Sequence, residues 1–288
     1  MKHIIKLMRP HQYIKNLFIL APLFFVGQVM NYALLLEALQ AFIAFSMCAS
    51  GVYVLNDWLD IEADKAHPKK KFRPLASGAV SRPAALGIML VCFISGGVIM
   101  LAVSIEALAI LSTYVLLNIG YSFYLKHIAI LDVAIISVGF VLRLFVGSAA
   151  TGVLLSKWIV IMTFLLALFM ALAKRRDDVL IFLNTGAKMR KSVDGYNLAL
   201  IDASMTIMTA VVIVSYILYT TSVEVLQRLQ NEYLYVTTLF VILGVLRYLQ
   251  ITYVEENSGS PTKIAIKDNF IRCSILGWLC SYAWIIYI

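Results

Sequence analysis

The side chains most able to do chemistry are the acids clustered between Asn56 and Asp64. Asn56, Asp60 and Asp64 are spaced i, i+4 and i+8, and Asp57 stands three residues before Asp60. On a continuous helix this spacing places the three side chains on one stripe, with Asp57 beside it. Because like charges so close together repel, the stripe is stable when a hard divalent cation neutralises it. Mg²⁺ prefers a few carboxylate oxygens together with waters and substrate phosphates, so the spacing predicts a magnesium site.

The surroundings of these acids favour a site over its alternative, a solvated acidic loop at the end of a helix. Asn56 stands at the mouth of an apolar stretch, and a basic run ending in Phe72-Arg73-Pro74 follows the acids. A merely solvated loop requires neither feature. We therefore expect Asn56, Asp60 and Asp64 to bind Mg²⁺.

The elements that position the acids are predicted to be membrane helices. Of 288 residues, 61% are hydrophobic and 14% charged, and the mean hydropathy is +0.88; a soluble domain has about 45–50% apolar and about 25% charged residues. Nine apolar stretches approach the roughly 20 residues that cross a bilayer core. They cover 17–36, 38–55, 84–104, 107–125, 128–150, 158–173, 203–222, 233–251 and 270–287.

The predicted fold is therefore all-α: a polytopic membrane helical bundle of about nine transmembrane helices, forming a single integral membrane domain over residues 1–288. The first stretch is interrupted by Pro22, Gly27 and Gln28. A count of eight is the alternative.

Lysine and arginine are concentrated in alternate connections. The amino-terminal segment and the connections after the second and sixth stretches are strongly basic, whereas the opposite loops offer only Lys157 and Arg228. Because cytoplasmic loops retain positive charge, we expect a multi-pass protein of the cell (inner or plasma) membrane with its active site facing the cytoplasm. The net charge of +8 is spread over membrane-flanking loops, so the expected partners are anionic lipid or phosphate and not nucleic acid.

Arg143 lies well inside the fifth apolar stretch. An unpaired charge there costs at least about 2.5 kcal/mol, so we expect this side chain to face the bundle interior and an anionic partner. That partner is either a substrate phosphate or a structural carboxylate such as Asp132.

The segment NDWLDIEAD resembles the NDxxDxxxD motif of the UbiA-type intramembrane prenyltransferase superfamily, whose members bind diphosphates through magnesium. Further segments resemble one branch of it, the decaprenyl-phosphate phosphoribosyltransferases (decaprenylphosphoryl-5-phosphoribose synthases). They are RPHQYIKN at 9–16, HPKKKFRPLASG at 67–78, YSFYLKHIAILD at 121–132, GFVLRLFVG at 139–147, KRRDD at 174–178 and RKSVDGY at 190–196. Their order and joint presence over nearly the whole chain carry the resemblance.

This resemblance implies transfer of phosphoribosyl from 5-phosphoribosyl diphosphate to a polyprenyl phosphate of the decaprenyl type, with Mg²⁺ as cofactor. The metal would stabilise charge on the departing diphosphate while the sugar gains oxocarbenium character. A lipid phosphate is already ionised at neutral pH, so the transfer needs positioning and electrostatic stabilisation more than a general base. We expect Asp57, Asp60, Asp64 and Arg143 to carry catalysis, with Asp57 as a metal ligand or just behind one.

The resemblance also implies a set of substrate-binding residues, most of them cations at predicted cytosolic helix ends. They are Lys15, Asn16, Lys71, Arg73, Tyr121, Lys126, Asp132, Lys174, Arg175, Asp178, Lys191 and Tyr196. For each cation the alternative is ordinary anchoring to lipid headgroups.

A second acidic motif is altered in this sequence. The aromatic prenyltransferases of the superfamily carry a second DxxxD motif in the loop that here contains Asp177 and Asp178. Adjacent acids point to different sides of a helix, so a second Mg²⁺ site is left open. We expect Asp178 to bind a metal-bound water or a ribose hydroxyl.

Two other functions stay open from the sequence. An aromatic polyprenyltransferase of quinone biosynthesis would keep the fold, although the altered second motif argues against it. A membrane transporter would line its path with Arg143 and Asp132, but no inverted repeat is visible and the acids lie at a helix mouth. The oligomeric state, including a homo-oligomer, is also left open.

Overall fold

The structure is a computed structural model that describes residues 2–66, 70–186, 188, 190–229, 231–259 and 261–287. All regular secondary structure in these ranges is helical, which confirms the all-α prediction. The first three residues of the 67–78 segment lie outside the described residues.

Thirteen α-helices follow one another along the part of the chain that the structure describes. They are α1 (Lys2–Met8), α2 (Ala21–Val26), α3 (Tyr32–Leu59), α4 (Ile61–Ala66), α5 (Arg82–Val103), α6 (Ile105–Phe123), α7 (Leu131–Thr151), α8 (Lys157–Thr185), α9 (Leu198–Thr220), α10 (Val223–Leu229), α11 (Thr238–Tyr253), α12 (Pro261–Lys267) and α13 (Asn269–Tyr287). Short 3-10 helices cover Pro10–Ile19, Lys70–Phe72, Leu125–His127, Lys191–Gly195 and Glu232–Thr237.

Eight of the described helical stretches are long and apolar enough to cross a membrane. They are α3, α5, α6, α7, α8, α9, α13 and the stretch Glu232–Tyr253 that contains α11. These stretches correspond to the second through ninth stretches predicted from hydropathy. The chain therefore has the architecture of a polytopic membrane protein.

The first predicted stretch, 17–36, is not a single helix. A 3-10 helix ends at Ile19, and α2 begins with Pro22 in its first turn and stops at Gly27, which has a left-handed backbone (φ 77°). Proline lacks the N–H that a helix interior needs, so it starts a new helix more readily than it continues one. Among the described residues the regular spans therefore number eight, the lower of the two counts considered.

This 3-10 helix runs antiparallel along α3. The hydroxyl of Tyr13 lies 2.8 Å from that of Ser50, and the amide of Asn16 donates to Ser46 Oγ at 2.9 Å. As residue numbers rise along the 3-10 helix, those of its partners on α3 fall. The amino-terminal segment is thereby fixed along the helix that ends in the acidic motif.

The described chain forms two compact units. Unit 1 contains Met1–Lys126 and Gly139–Leu155, and unit 2 contains His127–Val138 and Ser156–Ile288. Helix α7 belongs to both, since the division falls inside it.

Unit 1 is built on close packing of α3 against α5. At Gly96 an added Cβ would lie 2.6 Å from the carbonyl oxygen of Ala44, whereas none of the described atoms lies within 4 Å of a Cβ added at Gly97. Gly96 thus serves packing inside the unit. The core around this contact includes the fully buried side chains of Phe45 and Met100.

Unit 2 has its core between α8 and α9. Ile201 and Met205 on α9 are fully buried and pack with Phe169 and Leu172 on α8. Residues of α11, α12 and α13 complete this core. The α8 residues predicted to bind substrate, Lys174, Arg175 and Asp178, therefore stand on a well-packed helix.

Candidate functional site

The acidic motif lies where α3 gives way to α4. Asp60 follows the last residue of α3 with φ −93° and ψ 9°, and backbone hydrogen bonds from Asp60 N to Asn56 O and from Asp64 N to Asp60 O continue the helical direction. Seven residues cover about 20° less than two full turns, whereas eight overshoot by about 80°. Asp57 and Asp64 therefore share a side more closely than Asn56 and Asp64 do.

Arg73 joins Asp57 to Asp64. Its Nη1 lies 3.0 Å from Asp57 Oδ1 and 2.7 Å from Asp64 Oδ2. Arg9 adds a second cation, with Nη2 at 2.5 Å from the same Asp57 oxygen. Both carboxylates are almost completely buried, at 2% exposure. The expected stripe of Asn56, Asp60 and Asp64 is thus replaced by a pairing of Asp57 with Asp64, for the geometric reason just given.

Asp60 has a separate set of contacts. Lys126 Nζ, beside the end of α6, lies 2.7 Å from Asp60 Oδ1, and the amide of Asn56 donates to Oδ2 at 3.1 Å. The side chain of Asp60 is 30% exposed, so this acid is the most accessible of the three. The i, i+4 contact between Asn56 and Asp60 is the part of the predicted stripe that the structure contains.

The donor chemistry of this acidic cluster fits Mg²⁺. Three carboxylates and the side-chain oxygen of Asn56 form an all-oxygen set, which is what this ion prefers. Within the described ranges, no three His, Cys, Asp or Glu side chains surround a common metal position. The pair of Asp57 and Asp64 nevertheless holds one positive centre, the Nη1 atom of Arg73.

Arg143 is buried in unit 1 inside an aromatic cage. Its Nε donates to Asn16 Oδ1 at 2.9 Å, its Nη1 to the carbonyl of Gly139 at 2.6 Å, and its Nη2 lies 3.4 Å from the hydroxyl of Tyr114. Three ring centroids lie 4.9–5.2 Å from its Cζ; the rings are those of Phe45, Tyr114 and Phe140. No carboxylate of the described residues forms an ion pair with Arg143, and its hydrogen-bond partners here are neutral groups.

Lys15 adds a second positive charge near Arg143. Burial, followed by the charges of Arg143 and Arg9, lowers the pKa of Lys15 to about 8. Two cations that have no ion-pair partner among the described residues form a region that attracts an anion. The surroundings thus favour a phosphate ligand over a structural ion pair.

A second polar cluster in unit 2 centres on Asp132. This fully buried carboxylate accepts hydrogen bonds from Arg175 Nε at 2.6 Å, Ser192 Oγ at 3.0 Å and the hydroxyl of Tyr196 at 2.6 Å. Burial, together with the hydrogen bond to Asp132, raises the pKa of Tyr196. Asp132, considered above as a partner of Arg143, instead forms an ion pair with Arg175.

Arg175 is held from a second direction by Asp178. Its Nη1 lies 2.6 Å from Asp178 Oδ2, and Arg190 Nε approaches the same oxygen at 3.5 Å. Asp178 therefore orients cations, and the structure gives no direct support to its expected contact with water or ribose. The arrangement is an arginine pair positioned by two acids, a geometry suited to phosphate.

The remaining predicted residues lie outside these clusters. Lys71, Lys174 and Lys191 are exposed, and Tyr121 is half-buried. Lys71 Nζ stands 5.3 Å from the centre of the neighbouring Phe72 ring. Their expected contacts with substrate stay predictions.

The structure also brings in residues that sequence reasoning missed. Arg9 contacts Asp57 across 48 residues, while Arg190 and Ser192 join the cluster around Asp132 and Asp178. All three stand in segments quoted for the family resemblance, which was the one available signal. Their spacing to their partners has no local period.

Comparisons with known proteins show which family this chain resembles. A model of the UbiA prenyltransferase family matches residues 17–270. The decaprenyl-phosphate phosphoribosyltransferase of Corynebacterium glutamicum is 32% identical over 288 residues, covering 99% of this chain and 86% of the relative. The enzyme of the same name from Mycolicibacterium smegmatis is 33% identical over 294 residues, covering 99% of this chain and 92% of the relative.

Solved structures show the same fold. A UbiA homolog from Archaeoglobus fulgidus bound to GPP and Mg²⁺ matches with a TM-score of 0.73 at 17% identity, covering 99% of this chain and 100% of that chain. A UbiA homolog from Aeropyrum pernix K1 matches with a TM-score of 0.63 at 14% identity, covering 97% and 99%. At these identities the likeness concerns the fold alone.

Proposed function

Because this chain belongs to the UbiA prenyltransferase family, we propose that it transfers 5-phosphoribosyl from 5-phosphoribosyl diphosphate to a polyprenyl phosphate of the decaprenyl type, releasing diphosphate. Relatives named decaprenyl-phosphate phosphoribosyltransferase, 30–33% identical over nearly the whole chain, support this pair of substrates. The observation that carries the proposal is the cluster of three acids at the end of α3, each in contact with a cation.

Asp57, Asp60 and Asp64, together with Asn56, would hold Mg²⁺. When bound, the ion supplies positive charge that stabilises a departing diphosphate. Three cations already reach these acids, and their charge suits the same diphosphate. They are Arg9, Arg73 and Lys126.

The transfer breaks the bond between the anomeric carbon and the diphosphate oxygen and forms one to a phosphate oxygen of the lipid. That phosphate oxygen is the nucleophile and is already ionised, so no protein base has to remove a proton. The role of the chain is to hold two polyanions close enough to react, against their mutual repulsion. The positive region of Lys15 and Arg143 serves this role in the proposal.

The cluster in unit 2 supplies further phosphate-binding charge. Arg175 is buried between Asp132 and Asp178, whereas Arg190, 27% exposed beside Asp178, has a planar guanidinium that suits a phosphate group. Asp132 and Tyr196 then act indirectly, by holding Arg175 and with it Asp178 in place. In the proposal the membrane supplies the lipid acceptor and the site faces the cytoplasm, an orientation that the basic connections support.

Purified protein tests the proposal directly. Protein, Mg²⁺, polyprenyl phosphate and labelled 5-phosphoribosyl diphosphate are expected to yield a labelled lipid that requires all four components. Prenylation of an aromatic acceptor from a prenyl diphosphate, with no labelled lipid, would refute the proposal in favour of the aromatic polyprenyltransferase.

A further inference from the structure

Arg73 occupies the position from which a single positive centre reaches both buried acids. One nitrogen, Nη1, contacts Asp57 at 3.0 Å and Asp64 at 2.7 Å. A metal ion bound to the same two oxygens would meet this guanidinium at close range, and two cations cannot share that position. We propose that Arg73 and Mg²⁺ are alternative counter-cations of the Asp57–Asp64 pair.

Asp57 and Asp64 differ in the number of cations that contact them, and this difference makes Asp64 the acid that depends most on Arg73. Asp57 keeps a second cation, Arg9, at 2.5 Å. Among the described residues, Asp64 has Arg73 as its ion-pair partner and no other. Removal of Arg73 therefore leaves a buried carboxylate at Asp64 with no counter-charge, which is strongly unfavourable until another cation arrives. Mg²⁺ is that cation in the proposal.

The Arg73 side chain is accessible enough to move away from the two acids. It is 25% exposed, whereas both acids are almost fully buried. A guanidinium displaced from carboxylates binds phosphate oxygens well, because its fork of donors matches both kinds of oxyanion. An arriving diphosphate thus gives Arg73 a new partner at the moment when the metal takes its old one.

This exchange makes metal binding and diphosphate binding cooperative. Mg²⁺ alone must displace Arg73 into solvent, whereas Mg²⁺ with diphosphate moves Arg73 onto the ligand. Such coupling is reciprocal, so each ligand tightens the other by the same factor. The inference rests on the proposed function only in placing magnesium at these acids, and it holds whichever group the diphosphate carries.

Equilibrium dialysis with Mn²⁺ as the probe ion tests this coupling, at fixed free Mn²⁺ and with or without inorganic pyrophosphate. In the wild type, pyrophosphate is expected to tighten Mn²⁺ binding by about tenfold or more. In R73M, Mn²⁺ alone is expected to bind about tenfold more tightly than in the wild type, and most of the effect of pyrophosphate should disappear. R73K, which keeps a cation but loses the fork, should fall between the two.

Arg82 provides the matched control. It is an exposed arginine nine residues further along the chain, and its ion-pair partner among the described residues is the exposed Glu62, at 3.2 Å, so R82M should bind Mn²⁺ like the wild type. If R73M binds Mn²⁺ no more tightly than the wild type, or if pyrophosphate leaves wild-type Mn²⁺ affinity unchanged, the exchange does not occur. Should R73M fail to fold, R73K decides by the same criterion. The dialysis contains neither sugar donor nor lipid, so its result is separate from that of the transferase assay.

Discussion

Tyr196 donates a hydrogen bond of 2.6 Å from its hydroxyl to the buried carboxylate of Asp132. The hydroxyl oxygen of Tyr196 also accepts a hydrogen bond from the backbone N–H of Ile130 at 2.7 Å. Ile130 has a left-handed backbone (φ 69°), which is unfavourable for a β-branched residue. One hydroxyl therefore fixes both a strained turn and the acid that holds Arg175.

We expect Y196F to destabilise the protein by about 1–3 kcal/mol, because it leaves the N–H of Ile130 and one carboxylate oxygen without a partner. The apparent KM for the sugar donor should rise as well, since Arg175 loses part of its support. Thermal unfolding in detergent and donor titration measure the two effects. Y233F is the control, because Tyr233 is exposed; equal behaviour of the two variants would contradict the structural role of Tyr196.

Arg143 is expected to matter far more for turnover than for stability. R143M removes a buried charge that has no described counter-ion. The desolvation cost that is thereby avoided offsets the loss of the hydrogen bonds to Asn16 and Gly139. Loss of a cation aimed at a reacting anion lowers turnover by about 100-fold or more. Turnover and thermal unfolding, measured on the same preparation, separate the two effects. A parallel loss of both would instead assign Arg143 a structural role.

Lys15 predicts an alkaline limb in the pH profile. Its pKa is lowered to about 8, first by burial and then by Arg143 and Arg9, and the protonated form is the one that binds an anion. Activity as kcat/KM, which reports the free enzyme, should therefore be retained below pH 8 and fall as pH rises through that value. K15R keeps its charge and should move this limb to higher pH. An unchanged limb in K15R would assign the titration to another group.

The lowered pKa of Lys15 affects stability in the opposite direction: the free energy of unfolding rises with pH where activity falls. The folded protein binds its proton at Lys15 less tightly than the unfolded chain does, so between pH 8 and the ordinary lysine value of 10.5 the unfolded chain carries more protons. Stability from this group therefore rises with pH through that window. Denaturation of the wild type and K15M across the window measures the difference, which should be absent if Lys15 titrates normally.

Hydropathy identified nine stretches, and eight of them are regular helical spans among the described residues, because length and composition suffice to recognise a span. It failed on the first stretch because Pro22 begins a new helix there. The contact of Asn56 with Asp60 also followed from helical spacing. The pairing of Asp57 with Asp64 depends on their angular offset around the helix, about 20°, compared with about 80° between Asn56 and Asp64. The i, i+4, i+8 pattern ignores this difference.

The cations of the site were less accessible to sequence reasoning. Lys126 stands 66 residues from Asp60 and Arg9 stands 48 residues from Asp57. Contacts at such separations arise from the packing of helices and leave no local period in the sequence. Family resemblance put Lys126 on the list of candidates, but no pattern in this chain joined it to Asp60.

The 3-10 helix Pro10–Ile19 packs so closely against α7 that we expect no side-chain atom to fit at Gly147. At Gly147 a Cβ would lie 2.0 Å from the carbonyl oxygen of Ile19, and a backbone atom cannot rotate away. G147A should therefore cost about 1–3 kcal/mol or more by overpacking. G97A is the control, because none of the described atoms lies within 4 Å of a Cβ added there and alanine favours helix. Thermal unfolding of both variants checks this; equal midpoints would show that the contact is looser than described.

Substitution of Asp60 distinguishes an enzyme from a transporter. Asp60 is the most accessible acid of the motif and contacts Lys126 and Asn56, so D60N should fold while losing a charge that would hold Mg²⁺. We expect turnover to fall by about 100-fold or more and the Mg²⁺ concentration for half-maximal activity to rise.

Glu62 supplies the control for this variant, because it is an acid two residues away whose side chain is 72% exposed and contacts Lys65 and Arg82 at the surface. E62Q removes the same charge from the same segment but not from the proposed metal site, so it should keep both turnover and Mg²⁺ dependence. If D60N and E62Q lower activity alike, the effect of Asp60 is one of surface charge and not of metal binding. If instead D60N in sealed vesicles still moves substrate across the membrane without forming product, the chain is a transporter.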